Sequence, residues 1–255
     1  MLKRIDSLSS RSQSVSSEFN FITPTSINKK FISEIYNNKK LEEELALIKS
    51  QTCIDLSYWN LIDHDIFMII KQIITYKQCI ELRLCGNKIT SQGASILASN
   101  LINNSTLKCL DLSYNHISDR GIYFLSQVLL PIHYSSLEIL FLNKNGISND
   151  GIHYLSEMLQ INQTLTELWL SDNEIGDQGI KQLANILINY NRKLKVLVLS
   201  FNIFITDRSI NYLLKMLEHN QILEKFSINN CNLSETSKMK LQEKANGKKI
   251  FEIEV

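Results

Sequence analysis

The chain has no long apolar run, no block of like charge and no paired-cysteine motif, and each absence removes a class of protein. No stretch of its 255 residues approaches the roughly 20 consecutive apolar residues of a membrane-spanning helix. The N-terminus lacks the apolar core of a secretory signal. Formal net charge is +1 with the two signs interspersed, so neither nucleic acid nor a membrane surface is expected as a partner. The five cysteines are an odd number without a C-x-x-C pair, unlike a disulfide framework or a zinc site. A phosphate-binding G-x-x-x-x-G-K-[ST] loop is missing too. The reading at this level is a cytoplasmic, reducing setting with no cofactor and no metal. N-x-S/T matches such as Asn162-Gln163-Thr164 then read as ordinary loop residues rather than glycosylation sites.

What the chain does have is a phrase that returns. Leu110-Asp-Leu-Ser-Tyr-Asn115, Leu168-Trp-Leu-Ser-Asp-Asn173 and Leu197-Val-Leu-Ser-Phe-Asn202 are three of its copies. Marking each copy by its asparagine gives Asn87, Asn115, Asn145, Asn173 and Asn202, with Trp59 before them and Cys231 after. The steps are 28, 28, 30, 28, 29 and 29 residues. Apolar residues recur eight, five and three places before the marker and usually two after it, as in Leu107, Leu110, Leu112 and Ile117. The L-x-L alternation has the period of a strand with one buried face. Seven copies in phase make this the leucine-rich repeat pattern, whose marker position accepts Asn or Cys. The marker amides are expected to satisfy backbone groups of adjacent turns, a structural role.

The second half of each repeat reads as a helix. Four residues past the marker stand Asp63, Ser91, Asp119, Asn149 and Asp177, with Asp207 one place later, all suited to N-cap positions. Gly93, Gly121, Gly151 and Gly179 follow two residues on, where close approach of the helix to the strand layer is expected. Then come apolar pairs at i, i+4, from Ile69 and Ile73 to Leu213 and Leu217, one stripe facing the strands. Pro131-Ile-His133 carries two extra residues and Ile203-Phe-Ile205 one, both mapping to loops.

Long repeats with a full helix resemble the ribonuclease-inhibitor-like class of leucine-rich repeat proteins, which includes the repeat regions of NOD-like receptors and the Ran GTPase-activating protein. Leu168-Trp-Leu-Ser-Asp-Asn-Glu-Ile-Gly-Asp-Gln-Gly179 lies close to the consensus of that class. The resemblance implies an α/β horseshoe solenoid of about seven repeats, with a parallel sheet on the concave side and helices on the convex side. It covers residues 51–246. Residues 1–22 are serine-rich and expected to be a disordered tail; 23–50 read as a helical N-terminal cap and 247–255 as a C-terminal cap strand.

Alternation puts Asp55, Arg83, Asp111, Phe141, Trp169, Val198 and Ser227 on the outward face of the sheet. The first three alternate in sign and can pair across strands. The next three are apolar, though nothing in the repeat demands it. Ile139, Val196 and Phe201 extend this patch, and Tyr114, Lys144, Asp172 and Glu174 form its rim. Contiguous exposed apolar surface marks interaction sites, and Trp is enriched at hot spots. Cross-strand packing and self-association are the alternatives for the same residues. Cys53, Cys85 and Cys109 also map outward and read as free thiols; Cys79 and Cys231 fall at core positions.

The expected function is a non-catalytic scaffold, a monomer binding a partner protein through Tyr114, Ile139, Phe141, Lys144, Trp169, Asp172, Val198 and Phe201. Two alternatives follow from the resemblance. A GTPase activator similar to the Ran activator would act through rim loops, but the acidic tail of that family is missing and none of its functional residues can be matched. An enzyme inhibitor similar to ribonuclease inhibitor would be richer in cysteine.

Overall fold

The computed structural model describes residues 38–47, 53–71, 79–102, 104–133, 135–247 and 251–255. Contacts divide the chain into Met1–Lys40 and Leu41–Val255. The serine-rich tail, most of the expected N-terminal cap and Ile73 lie outside the described residues.

From Lys39 onward, strands and helices alternate. A helix α1 (Lys39–Leu47) precedes β1 (Cys53–Asp55), α2 (Asp63–Ile69), β2 (Glu81–Arg83), α3 (Ser91–Leu101), β3 (Cys109–Asp111) and α4 (Ser118–Val128). There follow β4 (Ile139–Phe141), α5 (Asn149–Ile161), β5 (Glu167–Trp169), α6 (Asp177–Asn189), β6 (Val196–Val198), α7 (Ile210–His219), β7 (Lys225–Ser227), α8 (Glu235–Asn246) and β8 (Glu252–Glu254). The strands form one parallel sheet in chain order, each pairing with the next. Register is constant from strand to strand: Ile54, Leu82, Leu110, Leu140, Leu168, Leu197 and Phe226 are cross-strand partners in one row. A parallel ladder needs a crossover between strands, and here each crossover is a helix. The architecture is thus the α/β solenoid implied by the repeat.

The core is one continuous cluster between sheet and helices. Leu41 and Leu45 of α1 belong to it, as do the L-x-L leucines and the helix stripe Leu97, Leu125, Leu155, Leu183, Leu213 and Leu241. Every residue of that stripe is at most 2% exposed. Burying one such leucine stabilises by about 2 kcal/mol, so neither half of a repeat is viable alone. Ile205 is buried in the one-residue-longer sixth repeat, in the role Ile175 plays in the fifth. The extra residue is accommodated by pushing Ile203 and Phe204 to the surface, at 62% and 56% exposure.

Two polar ladders hold the turns in register. In the first, Asn173 Nδ2 donates to the carbonyls of Leu142 and Leu170, both at 3.0 Å, while its Oδ1 accepts from Asn145 N–H (2.9 Å) and Ile147 N–H (3.1 Å). Asn87, Asn115, Asn145 and Asn202 bond in the same manner across the repeats. Cys231 keeps one such bond, its thiol donating to Leu199 O at 3.4 Å. At the other end of the helices runs a ladder that the sequence reading missed. Asn162, Asn191 and Asn220 donate to Leu129 O, Leu159 O and Leu187 O of the preceding repeat and accept from the backbone two and three residues on. Its signal was available: an asparagine three residues before Leu107, Leu165, Leu194 and Leu223. Asn162 is therefore a 2% exposed bracing residue, which removes it as a glycosylation acceptor.

The helix starts call for a correction. Asp63, Ser91, Asn149, Asp177 and Asp207 are the first residues of their helical turns, with Ile62, Thr90, Ser148, Gly176 and Thr206 as the caps proper, and Asp119 is the second residue of a helix capped by Ile117. The acidic side chains reach instead to the next repeat. Asp119 accepts from Ser148 N–H (2.8 Å), Ser148 O–H (2.7 Å) and Gly151 N–H (2.9 Å). Asp63 does the same for Thr90, Asn149 for Gly176 and Gly179, Asp177 for Thr206, and Asp207 for Ser234. Each side chain thus satisfies the orphan N–H groups of its neighbour's helix. This also explains the glycines: a Cβ on Gly93, Gly151 or Gly179 would fall on the reaching side chain of Asp63, Asp119 or Asn149. The crowding comes from the adjacent repeat and from the isoleucine four residues earlier, not from the strand layer. In the sixth repeat Ser209 replaces glycine, the first turn tightens to a 3-10 turn, and the serine hydroxyl donates to Asp177 at 2.7 Å.

Candidate interaction surface

The sheet turns one face to the helices and leaves the other outward. Strand alternation produces two outward rows. One runs Cys53, Glu81, Cys109, Ile139, Glu167, Val196, Lys225 and Glu252; the other Asp55, Arg83, Asp111, Phe141, Trp169, Val198, Ser227 and Glu254. Strands lie about 4.8 Å apart, so row neighbours touch.

At the β1–β2 end the charges pair across the rows. Arg83 pairs with Glu81 at 2.7 Å and with Asp55 at 3.8 Å. Hydrogen bonding to Glu81 raises the Arg83 pKa, and the Ser57 hydrogen bonds lower that of Asp55. Cys53 and Cys109 share a row with Glu81 between them, while Cys85 faces the Tyr58 hydroxyl at 3.8 Å. Burial pushes Cys109 up to about 12, as it does the core thiol Cys79.

At β4–β6 the rows become apolar. Phe141 and Trp169 are direct cross-strand partners with ring centroids 5.3 Å apart and planes at 34°. Trp169 Nε1–H donates to Glu167 Oε2 at 3.1 Å, fixing the indole at the surface. Such a pair adds roughly 0.5–1.5 kcal/mol beyond its area. Ile139 and Val196 are half-buried beside it. Two expected members depart from the expectation. Val198 is only 5% exposed, covered between Trp169 and the Ser227 row. Phe201 is open at 53%, but a polar row of Asn143, Ser171 and Ser200 runs between its loop and the strands. The apolar surface is therefore two strips, one on the strands and one at the Phe201–Ile203–Phe204 loop.

The rim has a property invisible in the repeat pattern. The residue before each marker is left-handed in all seven repeats: Tyr58, Gly86, Tyr114, Lys144, Asp172, Phe201 and Asn230, with φ from 53° to 66°. For most side chains that conformation costs roughly 1–2 kcal/mol, and Gly86 and Asn230 are the types that adopt it most readily. Tyr58, Tyr114 and Phe201 keep large side chains there, 70%, 49% and 53% exposed. Lys144 links the rim, 3.2 Å from Asp172 and with its ammonium 5.5 Å from the Tyr114 ring centre. Both ions are about half exposed, so the pair itself contributes little to stability.

The comparisons with known proteins agree with the fold. The "Leucine Rich repeat" family model matches residues 103–126 and 162–184. "NACHT, LRR and PYD domains-containing protein 3" of Bos taurus is 32% identical over 221 residues, covering 83% of this chain and 19% of the relative. "NACHT, LRR and PYD domains-containing protein 12" of Homo sapiens is 31% identical over 162 residues, 62% of this chain and 15% of that protein. The chain thus spans less than a fifth of the length of these relatives. Among solved structures, "Leiomodin-1 Actin-Binding Site 2 (ABS2)" aligns with 71% of this chain and 86% of that one, at 15% identity and a TM-score of 0.39, too distant to inform its reading. Repeat phrase, single parallel sheet and these likenesses together identify the chain as a leucine-rich repeat protein, similar to the repeat regions of NOD-like receptors.

Proposed function

We propose that the chain is a non-catalytic interaction scaffold that holds a partner protein on the outer, concave face of its sheet. The contact strip is Ile139, Phe141 and Trp169, flanked by the rim residues Tyr114, Lys144, Asp172 and Phe201. The observation that carries the reading is the Phe141–Trp169 pair, large aromatic surface at positions where the repeat needs none. The left-handed aromatics of the rim add to it, since strain retained at an exposed position points to a task outside the fold. Similarity to the repeat regions of larger multidomain proteins supports binding over catalysis. The chain works as a monomer in a reducing, cytoplasmic setting; the free thiols Cys53, Cys85, Cys109 and Cys231, the first of them exposed, support that setting.

The test is a pull-down from cell lysate comparing the wild type with a Phe141→Ala, Trp169→Ala, Phe201→Ser variant, after circular dichroism shows both folded. A partner held by the wild type and lost from the variant is the expected result. Identical partners for both would sink the reading and turn attention to the helices.

A further inference from the structure

The outward rows carry Asp55, Glu81, Asp111, Glu167, Glu252 and Glu254 against Arg83 and Lys225, six carboxylates to two cations and a net of −4. The whole chain is +1, so this face is acidic against a slightly basic remainder. Lysines beside the rows do not offset it, because Lys108 is taken by Glu138 at 2.6 Å and Lys195 by Glu224 at 2.8 Å.

Half of the excess sits next to the aromatic pair. Lys225 is held by Glu252 and Glu254, and Arg83 by Glu81 and Asp55. Asp111, the cross-strand partner of Phe141, and Glu167, two residues before Trp169 on β5, form no ion pair among the described residues. Each is held in place by one hydrogen bond, Asp111 Oδ1 from Ser113 N–H at 2.8 Å and Glu167 Oε2 from Trp169. A depression of about 660 Å³ opens beside Asp111, over β1–β4, lined by Asp55, Glu81, Arg83, Asp111, Ile139 and Phe141 among others. From strand spacing and rise, the two residues stand roughly 12 Å apart along a diagonal that crosses β4 between Phe141 and Ile139.

Resting on the reading that this face binds protein, we propose that its occupant is a cationic, partly apolar segment of the partner. An extended stretch laid across β3–β5 would present one arginine or lysine to Asp111 and another to Glu167. Its apolar side chains and the guanidinium planes would rest on Phe141 and Trp169. A guanidinium suits this best, since it stacks on aromatic rings while donating to carboxylates in its own plane. Phosphate-bearing ligands and acidic peptides are repelled by the same charges.

The test pans a phage library of random dodecapeptides on the full chain and measures synthetic winners by fluorescence polarisation. Winners should carry arginine or lysine beside aliphatic or aromatic residues. Asp111→Asn with Glu167→Gln should weaken them about tenfold or more, as should raising salt from about 0.05 to 0.5 M. Trp169→Ala should weaken them similarly, with circular dichroism confirming that each variant is folded. If winners depend on Trp169 but are neutral or acidic and indifferent to the carboxylate changes, the charge proposal is overturned and the binding face stands. Winners indifferent to Trp169 as well would remove both. An absence of winners overturns the segment proposal and leaves the face to the pull-down. So does a concentration-dependent dimer in sedimentation that Trp169→Ala abolishes, since the occupant would then be a second copy.

Discussion

The two ends of the outward sheet face are built on one backbone and differ only in side chains. At β1–β2, Arg83 bridges Glu81 and Asp55 and the surface is occupied with itself. At β4–β5, Phe141 and Trp169 lie side by side, and neighbouring Asp111 and Glu167 form no ion pair among the described residues. The inward face shows no such difference: the same leucines and the same asparagine ladder run beneath both. A solenoid keeps its interior repeating because each turn must match the next, whereas its outward positions are released from that constraint. The place where outward positions depart from self-pairing is where function should be sought.

Breaking the shared interior should do most damage. Asn173→Ala strands two carbonyls and two N–H groups in a buried turn, and should cost about 3 kcal/mol in urea denaturation while lowering the midpoint for both ends together. A loss confined to one end would mean that the ladder does not couple the repeats. The outward difference is sharpened by a paired comparison: Trp169→Ala should weaken partner capture tenfold or more, and Arg83→Ala by less than threefold, in a titrated pull-down. Equal effects would erase the distinction between the ends.

The inter-repeat caps give a smaller, interior effect. Asp119→Ala removes three bonds to the next helix start and should cost roughly 1–2 kcal/mol in thermal melts. The same change at Ser91 should be near neutral, since Gly121 packs on the backbone of Ser91 and, among the described residues, the Ser91 side chain makes no bond to the next repeat. Thiol chemistry compares the ends by access. Cys53 is exposed, whereas burial pushes Cys79 up to about 12 and Cys231 to about 11. Iodoacetamide followed by mass spectrometry should therefore modify Cys53 first, and Cys79 and Cys231 only on unfolding; early labelling of Cys231 would contradict its burial.

The smallest effect is at the last cap. Hydrogen bonds from Ser237 and Ser234 lower the Asp207 pKa below its ordinary value. A depressed carboxylate stabilises above its unfolded pKa, near 3.9, and loses that contribution as pH falls through its folded value. Asp207→Asn should therefore flatten the acid limb of the melting temperature slightly below about pH 4 and change the slope little at neutral pH. A slope change centred near neutrality would assign the effect to another group.

Much of this was legible before any coordinates. The marker spacing located every repeat, and the L-x-L rows gave the cross-strand neighbours of Phe141 and Trp169 correctly. The misses share a cause. Asp119 reads as a local cap because capping rules are local, yet its partners lie 29 and 32 residues away. Phe201 reads as part of the strand patch, but left-handed backbone at φ 63° separates it from the strand rows. Val198 reads as exposed from alternation alone, but it is only 5% exposed in the row between Trp169 and Ser227.

What the amino-acid order determined by itself was periodicity: apolar residues every second position, then every third or fourth, recurring near 28 residues, which admit only a stacked strand-and-helix unit with one buried side. What tertiary structure decided was which side chains serve a neighbour. Capping acids, the second asparagine ladder and the covering of Val198 all depend on stacking turns about 4.8 Å apart. That stacking joins residues some thirty positions apart, a relation no local pattern contains.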